Sequence, residues 1–341
     1  MSNKLEQDAP LPEHTPQSHP YAKLSPDLVM DAVEANGYLT DARILALNSY
    51  ENRVYQVGIE GGTPIIAKFY RPERWTRDQI LEEHSFTRAL KELEISVVAP
   101  FIDDSGNTLH HYQGFDFSLF PRQGGHAPNL DDMDSLLMIG RSLGRIHAMG
   151  QAQAFQYRPQ ITVQNFARDS YDFLLKNNFI PANQLEDYKR VAADIIIQCG
   201  ALFERVKYKS IRLHGDCHPG NVLWRDGVPH FVDFDDARTG PAVQDLWMLL
   251  TGKCDNQRLQ LSELLDGYQE FCDFDLAELQ LIEALRSMRI MHYSAWLARR
   301  WTDPAFPRYF PWFNTEHYWS QHILELREQL AAQQEPPLAI F

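Results

Sequence analysis

Cysteine is scarce. The 341 residues contain only Cys199, Cys217, Cys254 and Cys272, widely spaced and without a C-x-x-C pair. That excludes a disulfide framework and a paired-cysteine zinc module. The opening MSNKLEQDAP has no apolar core of a leader, so reduced thiols in a cytoplasm are expected. No apolar run approaches the roughly 20 residues a spanning helix needs, and no membrane partner is expected. Positive charge is in deficit: 32 Lys and Arg against 46 Asp and Glu give a net charge of −14. A nucleic-acid-binding surface is therefore not expected, although a local basic cleft could still hold phosphates. The acidic balance is also compatible with a cationic substrate. A glycine-rich loop of the form G-x-G-x-x-G is absent, as are internal repeats and low-complexity tracts.

What is present is a globular composition, 44% hydrophobic and 23% charged, which supports a full core. The length suits one large two-lobed domain or two domains sharing a cleft, read as a monomer. Residues 1–24, rich in Pro, Gln, His and charge, read as a flexible extension. Ser25-Pro26-Asp27 then opens a helix with Leu28, Val29, Ala32 and Val33 at helical spacing. Residues 53–57 and 65–70, joined through Gly61-Gly62, form a hairpin. Residues 77–94 predict an amphipathic helix with Ile80, Leu81, Phe86, Leu90 and Leu93 inward. Strands are expected over 96–102 and 114–120.

Pro121-Arg122-Gln123-Gly124-Gly125 breaks the pattern and is the candidate hinge, dividing a first lobe (25–120) from a second (126–341). Helical spacing beyond it recurs over 131–149, about 183–208, 257–273 and 276–301. The fold class that follows is α+β and bilobal: a small antiparallel sheet with one main helix, then a larger, mainly helical lobe.

The chemistry concentrates in LHGDCHPGNVLW (213–224) followed by Phe231-Val232-Asp233-Phe234-Asp235. Asp216 precedes Asn221 by five residues, and Asp233 stands twelve further on. Phosphoryl transfer from Mg-ATP needs one carboxylate to orient the attacking hydroxyl, and an amide and a second carboxylate to hold metal. The alternative is a turn whose Asp and Asn only satisfy backbone amides. Asp233 argues against it, since a carboxylate between Val232 and Phe234 is costly to bury unless it faces a cation. His214, Cys217 and His218 could suggest zinc, but no fourth ligand stands at a matching spacing. His214 reads instead as a brace of the loop. Cys217 is either a small buried residue or a redox-sensitive thiol beside Asp216.

Lys68 lies mid-strand in an apolar run. It is either an edge lysine reaching water or the ligand of the α- and β-phosphates, oriented by Glu82 or Glu83, of which Glu83 is the better placed. The loop 47–55 stands where the glycine loop would, and Ser49 and Asn52 could cover phosphates with hydroxyl, amide and backbone N–H groups. Asp245 reads as a structural support behind the catalytic loop. Only eleven residues separate it from Asp233 and no Ala-Pro-Glu follows, so control by a phosphorylated activation loop is not expected. The aromatic cluster from Tyr293 to Phe313, with Arg299 and Arg300, is either core or a cage for a quaternary ammonium.

L-H-G-D-x-H-x-G-N-x-L-W with F-V-D-x-D-D-A resembles the aminoglycoside phosphotransferase and choline kinase superfamily. NSYENRVY (48–55), KFYRPERW (68–75), DQILEEH (78–84) and GPAVQDLWMLL (240–250) resemble the stress response kinase A, or RdoA, subfamily, and the likeness runs from about residue 25 to the Glu335-Pro336-Pro337-Leu338 tail. That resemblance implies a cytoplasmic Mg-ATP-dependent serine/threonine protein kinase, acting on proteins and on itself, that supports survival under stress. It implies Asp216 as proton acceptor, Asn221 and Asp233 as magnesium ligands, Asp233 as an active-site residue, and Ser49 as an ATP contact. A small-molecule kinase acting on an amino alcohol, amino acid or sugar is the alternative.

Overall fold

A computed structural model describes residues 19–339. Helix α1 (Pro26–Glu34) begins where expected: the Ser25 hydroxyl accepts the Leu28 N–H at 3.2 Å, and Pro26 occupies the first turn. Strands β1 (Thr40–Ala46), β2 (Arg53–Ile59), β3 (Ile65–Phe69), β4 (His110–Tyr112) and β5 (Phe115–Pro121) form one antiparallel sheet in the order β1-β2-β3-β5-β4. Ile65, Ala67 and Phe69 face a core shared with α1, so the period-2 alternation turns Ile66 and Lys68 to the opposite face. Helix α2 (Arg77–Glu92) starts in a capping box between Thr76 and Gln79.

Three expectations are corrected in this lobe. Residues 1–18 of the extension lie outside the described residues. Tyr21, however, is buried in the core, its hydroxyl donating to the Glu51 and Phe69 carbonyls at 3.2 Å each. A ring with a satisfied hydroxyl gains more from burial than from a tether, so the packed chain starts before residue 25. Residues 96–102 form no strand: Val97 alone bridges Phe231, and β4 takes the place beside β5. Pro100 lacks the N–H a ladder requires. Leu81 and Leu93 are exposed, and the inward face of α2 is Ile80, Glu83, His84, Phe86, Thr87 and Leu90.

The second lobe contains α3 (Met133–Gly150), α4 (Asp169–Lys176) entered through a π turn at Gln164–Arg168, and α5 (Leu185–Arg205). After them β6 (Ile211–Leu213), β7 (Val222–Arg225), β8 (Val228–Phe231) and β9 (Arg238–Gly240) pair as β6 with β9 and β7 with β8. Then follow α6 (Val243–Trp247), α7 (Cys254–Tyr268), α8 (Ile282–Arg299), α9 (Ala305–Tyr309) and α10 (Glu316–Ala332). The helical span expected from 276 begins with a 3₁₀ turn, Leu276–Leu281, before α8. Leu136, Ile139, Leu264, Ile195, Met288 and Trp319 meet in one core that supports the β6–β9 segment from below. Among the described residues no helix is long and apolar enough to cross a membrane.

Candidate active site

A cavity of about 830 Å³ opens between the lobes. One part of it is an apolar slot of Leu47, Val54, Ile66, Val98, Phe120 and Leu223. Lys68 reaches in from β3, and its Nζ lies 2.8 Å from Asp233 Oδ1 and 3.3 Å from Asp235 Oδ1. Burial alone would lower the ammonium's pKa, but Asp233 and Asp235 outweigh it and hold the group well above its ordinary value. Lys68 is therefore a buried, charged lysine aimed across the cleft, not an edge lysine reaching water.

Asp216 and Asn221 share the loop between β6 and β7, and both line this cavity with Asp233. The loop is held from behind. Asp245 Oδ2 accepts the His214 N–H at 2.7 Å, and its Oδ1 accepts the Gly215 N–H at 2.9 Å. His147 Nε2 stands 3.0 Å from the same carboxylate. Burial works to raise the Asp245 pKa, but these hydrogen bonds hold it below the usual carboxylate range. Asp245 sits inside α6. His214 braces the loop in turn, its Nε2 2.9 Å from the Val232 carbonyl.

Glycine in His214-Gly215-Asp216 has a geometric cause. Gly215 has φ +85°, and a Cβ there would stand 2.2 Å from the Asp236 carbonyl. A larger residue would separate the Asp216 loop from the Asp233 segment. Asp233 itself is left-handed (φ 59°, ψ 62°), a conformation of order 1 kcal/mol or more for a residue with a Cβ. The turn directs its carboxylate to Lys68.

Glu82 and Glu83 separate clearly. Glu82 accepts the backbone N–H groups of Tyr157 and Arg158 at 2.8 Å each, on the outer side. Glu83 is buried, lines the cavity, and makes no ion pair with Lys68; the partners of Lys68 are Asp233 and Asp235. Burial pushes the Glu83 carboxyl up to about 7, with Lys68 and Arg158 offsetting part of the rise. Ser49 lines the cavity. Asn52 is buried, and its Oδ1 accepts the Arg71 N–H at 3.1 Å, so it fixes the loop.

Cys217 is fully buried, and burial pushes its thiol well above the ordinary value. It is a packing residue, and the redox reading is withdrawn because the reactive form is the thiolate. The aromatic cluster divides. Phe306, Phe310 and Phe313 are core, whereas Tyr293 stacks on Trp296 at 5.7 Å on the cavity wall.

Several site residues escaped the sequence reading. Asp235 bonds Arg74 as well as Lys68. Burial would raise its pKa, but those cations hold its carboxyl below the usual range. Arg74 also bonds both oxygens of Asp236, at 2.9 and 3.0 Å. Arg289 Nη1 lies 2.7 Å from Asp216 Oδ1. Glu51 pairs with Arg300 at 2.6 Å and accepts the Trp296 indole N–H. Only Asp235 carried a visible signal, standing like Asp233 beside buried Phe234.

A sheet-based first lobe, a helical second lobe, and a lysine and two loop carboxylates meeting between them define a kinase-type phosphotransferase. A model of the phosphotransferase enzyme family matches residues 43–282. Stress response kinase A of Escherichia coli (strain K12) is 47% identical over 320 residues, 94% of this chain and 97% of that protein. Serine/threonine protein kinase RdoA of Salmonella typhimurium (strain LT2) is 44% identical over the same shares. Among solved structures, amicoumacin kinase hAmiN in complex with AMP-PNP, Ca2+ and Ami superposes with a TM-score of 0.71 at 18% identity, over 92% of this chain and 95% of that one. A microcompartment-associated aminopropanol kinase gives 0.66 at 16%, over 89% and 95%. The chain belongs to the phosphotransferase enzyme family, in its stress response kinase A branch.

Proposed function

We propose that this chain is a Mg-ATP-dependent serine/threonine protein kinase that transfers the γ-phosphate to protein hydroxyls, its own included, and supports survival under stress. The observation that carries the reading is the Lys68–Asp233 contact of 2.8 Å, made in the cavity that Asp216 and Asn221 also line. The apolar slot near Phe120 takes the adenine, next to residues 121–125 as hinge. Ser49 and Lys68 take the phosphates, with Glu83 as the nearby carboxylate.

The residues fit magnesium. Asn221 Nδ2 donates to the Asp216 carbonyl at 2.9 Å, which turns its Oδ1 outward as a hard-oxygen donor. The Asp233 side chain is 52% exposed, so its carboxylate is accessible to an ion. Asn221 and Asp233 would hold the ion, which would supply positive charge to offset that on the transferring phosphoryl group. Asp216 orients the acceptor hydroxyl and takes its proton, while Lys68 offsets charge on the phosphates through a fixed, water-poor contact.

Asp216→Ala and Asp233→Ala are expected to abolish transfer of labelled phosphate with the melting curve of the folded protein retained. Full autophosphorylation by Asp216→Ala protein would sink the assignment. The second reading, a small-molecule kinase, draws on the Tyr293–Trp296 wall of the cavity. Labelled ATP incubated with cell protein and with metabolite pools separates the two by where the label appears.

A further inference from the structure

The cavity wall beyond Asp216 is one face of α8. Arg289, His292, Tyr293, Trp296 and Arg299 recur at helical spacing and line the cavity, as does Arg300 just past the helix end, while Leu285, Met288 and Met291 are buried. This wall bears three arginines and no carboxylate, in a chain of net charge −14. Arg300 is committed to Glu51, and Arg299 donates to the Asp169 carbonyl while its guanidinium lies over Phe173. Arg289 differs. Its side chain is 38% exposed, and its one ion pair among the described residues is with Asp216 at 2.7 Å.

Paired with Asp216, the Arg289 guanidinium takes one side of Oδ1 and competes with an incoming hydroxyl for that oxygen. We propose that Arg289 selects the acceptor: it binds a carboxylate beside the phosphoacceptor hydroxyl of an acidic protein segment, and in doing so leaves Asp216 free. The inference rests on the protein-kinase reading. A neutral acceptor leaves the displaced guanidinium with water alone, and a basic one repels it. An acidic residue replaces the lost pair with a fork of two N–H···O bonds. The preference is short-range, because the acidic surface as a whole attracts basic segments instead. Acidic selectivity would therefore run against the chain's net charge and point to the local pocket.

The test compares serine peptides identical except for acidic, neutral or basic flanks, at physiological salt. Wild type is expected to favour the acidic set by about tenfold or more in kcat/KM. Arg289→Lys should keep the direction of the preference, and Arg289→Glu should reverse it towards basic flanks, which a purely structural role for Arg289 would not do. Wild-type preference for neutral or basic peptides, or unchanged selectivity in Arg289→Glu, overturns the inference. A parallel arm offers hydroxy acids and amino alcohols. Label confined to that arm ends the protein-kinase reading, and preference there for amino alcohols ends this inference too. Failure of both arms with an enzyme that still binds Mg-ATP likewise overturns it.

Discussion

Most ionised residues of the cleft have a named opposite partner. Lys68 has Asp233 and Asp235, Arg74 has Asp235 and Asp236, and Asp216 has Arg289. Glu83 is a carboxylate without an Arg or Lys ion pair, and its Oε2 accepts no hydrogen bond. Desolvation therefore wins there, and its carboxyl moves from 4.5 to about 7. A folded-state pKa above the unfolded value means the folded protein holds the proton more tightly. The stability this contributes is complete below pH 4.5 and is lost as pH rises through about 7. Glu83→Gln keeps the shape without the titration. Its melting temperature should vary less than wild type's across that window, and it should be the more stable form at pH 8. The full shift corresponds to roughly 3 kcal/mol. A parallel pair of pH profiles would refute the assignment of the titration to Glu83.

At the scale of elements, α3 and α7 approach more closely than side chains allow. A Cβ on Gly140 would stand 2.0 Å from the Leu264 carbonyl, and one on Gly144 would stand 2.3 Å from that of Tyr268. Backbone cannot yield as a side-chain tip can, so Gly140→Ala must push the helices apart. A loss of about 1–3 kcal/mol is expected in the denaturant midpoint. Gly200 in α5 is the control, because a Cβ there meets nothing within 4 Å. Gly200→Ala should stabilise by about 0.5–1 kcal/mol through helix propensity alone. The same scale explains what the sequence disclosed. Asp216, Asn221 and Asp233 were legible because their relation is local, set by a loop between short strands. Lys68 was legible because β3 alternates. Residues 96–102 looked like a strand by composition, but a strand needs a partner, and β4 had taken it. Helix α10 was missed because its stripe, Trp319, His322, Ile323 and Leu326, includes a histidine and lies among exposed polar residues. Short α4 follows a π turn, which breaks the regular period that a pattern search requires.

Across the whole molecule, contacts between residues far apart in the chain hold the lobes together, and these were illegible for that reason. Glu51 lies in the loop that replaces a glycine-rich one. It accepts the Trp296 indole N–H and pairs with Arg300 at 2.6 Å, with Arg71 and Arg74 at 3.8 Å each. Tyr50 beside it packs edge-on against Tyr309 and Phe310. Arg71 reaches Asp303 at 3.0 Å, and Arg74 reaches the segment after Asp233. The loop proposed to cover the nucleotide is thus fastened to α8 and its C-terminal end by a largely buried carboxylate instead of being left mobile by glycine. Glu51→Ala leaves three arginines facing one another without their shared anion, so its cost exceeds that of an exposed ion pair and approaches the ~3–5 kcal/mol of a broken buried one. Two readouts should move together: the melting temperature falls, and KM for ATP rises more than kcat falls, as the proposed role of the loop over the nucleotide requires while Asp216 stays in place. Trp296→Phe removes one donor of the same clasp. Combined with Glu51→Ala it should add little further loss, because residues of one network are not additive. Independent, additive effects of the two substitutions would show that the loop is held elsewhere and that the clasp does not set the shape of the cleft.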